Sequence, residues 1–265
     1  DIDTGEHLWT YSQGSSGLTT PYASWPSLNG VVIADGKVFF PTQEHTPNSP
    51  LLKGYNLIAI DAYSGEEIWK ISSFSTTWAV SSGELVIFND YDRQMYAFGK
   101  GQTTTTVEVK NDVTTVGQTV LISGTITDQS PGAKGSPAIA DLYMTEWMEY
   151  LYQQQDMPTN AQGVTVHLSA IGSNGNCKEI GYTTSDISGL YSILWAPEQD
   201  GIYTILAAFE GTNSYYASTG EASIGVIAAE TQETENAAPI DLYIIVATIA
   251  IIVVIAIATI IVKKK

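Results

Sequence analysis

The sequence predicts an all-β fold, and three observations carry the prediction. Gly, Thr, Ser, Tyr and β-branched residues are abundant in the 265-residue chain, and these are the material of strands and tight turns. Apolar residues recur at every second position in successive runs, as in Val164-Thr165-Val166-His167-Leu168 and Tyr203-Thr204-Ile205-Leu206-Ala207, the spacing of half-buried strands. Sustained helical spacing is confined to two places, 136–155 and 242–262.

Charge and cysteine content narrow the function classes. Asp and Glu outnumber Lys and Arg by 28 to 11, for a formal net charge of −17, which repels a phosphate backbone and argues against nucleic acid as a partner. Cys177 is the single cysteine, so no disulfide within this chain and no thiolate metal cluster can form. The length suits two modest domains plus a further segment.

Leu242 to Val262 is an uninterrupted apolar run without a charge. At 1.5 Å per residue it reaches about 30 Å, the thickness of a bilayer core, and is predicted to be a transmembrane helix. Lys263, Lys264 and Lys265 follow it, while the acidic stalk 228–241 precedes it with Glu230, Glu233, Glu235 and Asp241. Basic residues stay on the cytoplasmic side, so the expectation is a single-pass protein of the cell membrane, with membrane lipid around 242–262, the N-terminal part outside and the tail 263–265 inside. Asp1 to Gly5 does not read as a signal peptide, and the expectation is that a signal and further domains lie upstream.

Two stretches match in register: Asp1-Ile2-Asp3-Thr4-Gly5-Glu6-His7-Leu8-Trp9 and Asp61-Ala62-Tyr63-Ser64-Gly65-Glu66-Glu67-Ile68-Trp69. Asp and Thr or Ser bond to a turn backbone, Gly takes positive φ, and Trp docks between neighbouring sheets. Strand-turn-strand pairs flank the second copy, at 34–40 and 56–60 ahead of it and at 82–88 and 93–98 after it. At Asp1, Gly5, Trp9, Asp61, Gly65 and Trp69 the sequence resembles the β-propeller repeat named after pyrroloquinoline quinone (PQQ) enzymes. That resemblance implies that 1–101 is the C-terminal part of a partial β-propeller whose other blades lie upstream. Quinoprotein dehydrogenases hold PQQ beside calcium, a catalytic Asp and often a vicinal Cys pair. No matching motif places these here, so the resemblance assigns no catalytic, cofactor-binding or metal residue, and PQQ or calcium would belong to the full-length protein alone. The loop 42–50 carries Glu44 and His45, a candidate ligand pair on a loop, although one His and one Glu make no metal set. Asn89-Asp90-Tyr91-Asp92 reads as a hairpin turn rather than a calcium loop.

From Thr103 the texture changes to alternating strands, and 102–227 is predicted to be an Ig-like β-sandwich. Asp186, Gly189, Tyr191 and Trp195 resemble the later strands of bacterial and archaeal Ig-like surface modules. His167 alternates with Val166 and Leu168 and reads as a strand residue rather than a ligand. A helical insert occupies 129–160: Ser136-Pro137 resembles an N-cap with Pro at the first helical position, the helix runs to about Gln155, and Met157-Pro158 ends it. Its aromatic face of Tyr143, Trp147, Tyr150 and Leu151 either covers a sheet edge, seals the junction with the first domain or, if exposed, docks a protein.

Together these readings predict a non-catalytic, membrane-anchored surface protein with an extracellular protein or glycan ligand. A PQQ-dependent dehydrogenase with its site in upstream blades is the alternative, and an architectural part of a surface layer is a third.

Overall fold

The structure is a computed structural model that describes residues 1–13, 30–42, 56–229 and 240–263. It contains two compact units, Asp1–Ala228 and Ala229–Lys265.

The first unit begins with two antiparallel meanders. Strands β1 (Val32–Ala34), β2 (Lys37–Pro41), β3 (Asn56–Asp61) and β4 (Glu67–Ser72) pair in sequence order, as do β5 (Ser75–Ser81), β6 (Glu84–Asn89) and β7 (Gln94–Phe98). Their hairpins follow from the turn residues. Asp35-Gly36 and Ser82-Gly83 both adopt positive φ, which a two-residue turn needs to match the twist of the strands it joins. Apolar side chains of both sheets, among them Phe39, Leu57, Ile71, Leu85 and Ile87, are buried in the main core. Among the described residues these are two separate sheets, and no ring closes around a channel.

The sandwich follows. Its three-stranded path is β14-β11-β8, with β9 also on β11, and its five-stranded sheet runs β10-β16-β15-β12-β13. The strands are β8 (Thr103–Thr105), β9 (Glu108–Val109), β10 (Val113–Thr115), β11 (Val120–Asp128), β12 (Thr165–Gly172), β13 (Cys177–Thr184), β14 (Leu190–Trp195), β15 (Gly201–Phe209) and β16 (Ser218–Ile227). Alternation does the work expected of it: Ile122, Ile126, Val166, Leu168, Ile205 and Ile224 are buried, each at an inward position of its strand. The Asp186 carboxylate accepts from the Ser188 and Leu190 N–H groups, and Gly189 takes positive φ. Tyr191 and Trp195 both face the core. The fold is therefore all-β with an Ig-type sandwich.

The insert departs from expectation. Helix α1 spans Met144–Gln153 after a 3-10 turn at Asp141–Tyr143, so Ser136-Pro137 does not start it. Those residues belong to the sheet edge instead: Thr127 bridges Pro137, Ile139 bridges Gly163, and the Ala138 N–H donates to the Ile126 carbonyl. Tertiary backbone pairing at a buried edge outweighs a local capping preference. Gln154 in the left-handed conformation ends the helix, three residues before Met157-Pro158.

Helix α1 seals a junction. It packs on β4, the edge of the first sheet, where the Lys70 N–H donates to Thr145 Oγ1 at 3.0 Å and Gln153 Nε2 donates to the Ser72 carbonyl at 2.7 Å. Two groups of an open strand edge are satisfied by the sandwich's own insert. Thr145→Val keeps the branched shape but orphans the Lys70 N–H, and is expected to lower stability by about 1 kcal/mol. Urea unfolding of the full chain in detergent measures this, and a midpoint equal to the parent's would show the bond to be idle.

Helix α2 covers Ile240–Lys263. Its side chains are described from 244 to 257 and all are exposed. Among the described residues no helix is long and apolar enough to cross a membrane, which corrects the transmembrane expectation for 242–262. Most of the stalk and lysines 264–265 lie outside the described residues.

Candidate binding cleft

The two copies of the repeated motif build the same turn. Asp61 Oδ1 accepts from the Tyr63 and Ser64 N–H groups, both at 2.8 Å, and Asp1 Oδ1 accepts from those of Asp3 and Thr4 at 3.0 and 2.8 Å. Gly65 and Gly5 follow in positive φ, each returning its N–H to the carbonyl of the leading Asp. These donors stabilise the ionised carboxylate and hold the Asp61 carboxyl below its ordinary range, with the Ser64 N–H the largest cause.

Four residues after each glycine, each tryptophan docks on a neighbouring element, in its own manner. Trp9 lies over the Gly65 turn, so close that a Cβ at Gly65 would stand 2.6 Å from its ring, and its Nε1 donates to the Ala62 carbonyl. Trp69 bridges the two meanders, stacked on Phe98 at 5.1 Å between ring centroids and tilted against Phe39 at 6.0 Å. All six motif residues thus serve turns and sheet packing.

Trp69 and Phe98 also form one wall of a cleft of about 410 Å³ at the junction of the two meanders, α1 and the sandwich. The opposite wall comes from α1 through Met144, Trp147, Met148, Leu151 and Tyr152, and from the sandwich through Tyr215. Helical spacing places Trp147 and Leu151 on one face, and that face turns inward: Trp147 is 3% exposed, with Tyr143, Tyr150 and Leu151 packed against the core. The face is therefore taken up by the junction and is not left exposed as a docking surface.

Polar groups sit at defined points of this apolar wall. The buried Lys37 ammonium contacts the Asp35 carboxylate at 2.8 Å, and this hydrogen bond holds the Asp35 carboxyl below its ordinary range. Asp128 is buried and accepts from the Ser130 N–H at 2.7 Å. Burial, reinforced by the nearby Asp128 charge, pushes the Tyr215 hydroxyl up, so it stays protonated at neutral pH. Trp147 Nε1 and Ser214 Oγ are buried without a hydrogen-bond partner among the described residues, a costly state for a donor.

Sequence reasoning singled out Trp69, Trp147 and Leu151 of the cleft but missed Lys37, Asp128, Tyr152, Ser214 and Tyr215, which lie far apart in the chain. One signal existed. Gly101 falls where a Cβ would meet Ser130 Oγ at 2.6 Å and Tyr215 at 3.1 Å, a close approach that glycine permits.

Other candidates stay apart from this site. Glu44 and His45 lie outside the described residues. His167 stacks on Tyr182 with its Nε2 4.0 Å from Glu179, and Asn89 closes its turn by accepting from the Phe74 and Tyr91 N–H groups. Among the described residues no group of three or more His, Cys, Asp or Glu could hold a metal ion.

No family and no curated protein matches the chain. Among solved structures, fibronectin(III)-like modules of Clostridium thermocellum are 12% identical, with a TM-score of 0.31 over 77% of this chain and 92% of theirs. A CARDB domain from Pyrococcus furiosus, crystallised with di-metal ions, is 14% identical with a TM-score of 0.27 over 49% of this chain and 91% of that one. A superoxide reductase from Ignicoccus hospitalis is 9% identical with a TM-score of 0.29 over 46% and 80%. Likenesses this distant carry no argument about function. No propeller or PQQ-type match is found, and the resemblance of 1–101 to that repeat family is corrected accordingly. The physical reason is that the Asp-x-x-Thr/Ser-Gly-x-x-x-Trp pattern encodes a turn, a strand and a packing residue. Any pair of stacked meanders has use for these, so the pattern specifies no ring.

Proposed function

We propose that the chain is a non-catalytic binding or scaffold module of the cell surface, kept at the membrane by lipid contact along 242–262, with the Ig-type sandwich and the two meanders outside. The observation that supports this reading is the junction made by α1. Bonds from Lys70 to Thr145 and from Gln153 to Ser72 join the meanders to the sandwich as one body and leave an aromatic cleft between them. Such a construction presents a shaped surface without requiring a reacting group. The lipid contact is supported by α2, whose described side chains from Ile244 to Ile257 are exposed and almost all apolar, a surface that water disfavours by about 25 cal/mol per Å².

Protease added to intact cells is expected to remove everything before the stalk and leave the C-terminal segment with the membrane fraction. Full protection of the first unit, or recovery of the whole chain in the soluble fraction, would refute this placement. The full chain purified in detergent and given alcohols or sugars with an electron-accepting dye is expected to show no turnover above a boiled control, and turnover would refute the non-catalytic reading.

A further inference from the structure

We propose that the cleft at the meander–sandwich junction binds an extended, basic peptide of a partner protein, added to the edge of β7 as a further strand with an Arg or Lys side chain against Asp128. This deepens, and rests on, the reading of the chain as a binding module. Met95, Tyr96, Ala97, Phe98 and Gly99 all line the cleft. Side chains of a strand alternate between the two faces of its sheet, so five consecutive lining residues mean that the cleft runs along the edge of β7 rather than over one face. β7 ends the order β5-β6-β7, and among the described residues no backbone group pairs with its outer side. Such an edge presents a row of N–H and C=O groups to which an extended chain bonds. Other edges are guarded. β4 is bonded by Thr145 and Gln153 of α1, while β13 carries Lys178 and Glu179 and a register shift against β12. β7 has none of these protections: it holds no charge and no proline, its register with β6 is unbroken, and Met95 is 70% exposed.

The charge of the cleft selects the kind of peptide. Lys37 and Asp128 are the charged residues among those lining it, and Lys37 is already paired with Asp35. Asp128 accepts from the Ser130 N–H and has no ion-pair partner among the described residues. Its Oδ1 lies 3.1 Å from where a Cβ at Gly101 would stand, which sets the carboxylate just past the C-terminal end of the β7 edge. A guanidinium or ammonium on the added strand supplies the missing cation as a charge-assisted hydrogen bond. The whole chain points the same way: a formal net charge of −17 repels a second copy and attracts a basic partner.

The test uses the full chain in detergent micelles and fluorescein-labelled decapeptides of alternating Thr and Val with a central Arg, Gln or Glu, read by fluorescence anisotropy and amide hydrogen exchange. The Arg peptide is expected to bind about tenfold more tightly than the Gln peptide, with the Glu peptide weaker still, and to slow exchange in β7. Asp128→Asn, which keeps an acceptor for the Ser130 N–H, is expected to erase the preference for Arg. Two further Arg peptides carry N-methyl groups on their odd or their even residues. One of them is expected to lose binding, because a methylated nitrogen cannot donate to β7. If Asp128→Asn does not fold, the peptide series decides the matter on the parent chain. Absence of binding at millimolar peptide, equal affinity for the Arg and Glu peptides, undiminished binding of both methylated peptides, or slowed exchange confined to segments other than β7 would each overturn the proposal. Cleavage of a bound peptide would instead refute the non-catalytic reading and leave the edge site standing, while absence of both binding and cleavage would refute the site and leave that reading intact.

Discussion

Replacing Trp69 by alanine is expected to lower the unfolding free energy of the full chain by about 3 to 5 kcal/mol, the range for truncating a buried tryptophan. The magnitude follows from its position. Trp69 is buried, stacks on Phe98 in the second meander, tilts against Phe39 in the first, and lines the cleft facing α1. Alanine would open a void at the meeting point of three structural parts, and rigid neighbours on separate sheets relax poorly into such a gap. Trp69→Phe, which keeps an aromatic ring there, is expected to cost less than half as much. Chemical denaturation followed by far-UV circular dichroism measures both, and a Trp69→Ala protein as stable as its parent would show that the meanders are not held together through this residue.

Gly124→Ala is expected to be comparably damaging, at about 3 to 5 kcal/mol, although it adds a single methyl group. Gly124 lies in β11 opposite Tyr191 of β14. A Cβ there would stand 2.0 Å from the Thr106 carbonyl oxygen and 2.5 Å from the Tyr191 hydroxyl. That hydroxyl donates to the same carbonyl, so the methyl group both overpacks the site and drives apart a buried hydrogen bond. Neither neighbour can yield cheaply, since one is backbone and the other is held in the core. Ser123→Ala on the opposite face of the strand is the control and should change stability by less than about 0.5 kcal/mol. Equal unfolding midpoints for Gly124→Ala and Ser123→Ala would mean that β11 can shift away from Thr106 without penalty.

Both predictions bear on what the residues announce in advance. The turn at 61–65 was legible because each of its requirements is local: Asp61 reaches N–H groups two and three residues on, and Gly65 supplies the positive φ. The sandwich strands were legible because burial on one face imposes a period of two, visible at Val166, Leu168 and Ala170. The helix start at Ser136-Pro137 was misread because a cap and a sheet-edge bridge suit the same residues. The choice between them was made by Ile126 of β11 and Gly163 just before β12, partners that the local pattern does not contain.

The sequence by itself determined the strands, their hairpin turns and the amphipathic helix, since propensity, periodicity and turn chemistry act over a few residues. Tertiary structure alone decided how these parts meet. It brought β4 to Thr145 across 75 residues, turned the aromatic face of α1 inward, and gathered Lys37, Asp128, Trp147 and Ser214 around one cleft. Among the described residues it also formed two separate sheets and no closed ring, because a docked tryptophan fixes the contact between two neighbouring sheets and says nothing about how many sheets follow.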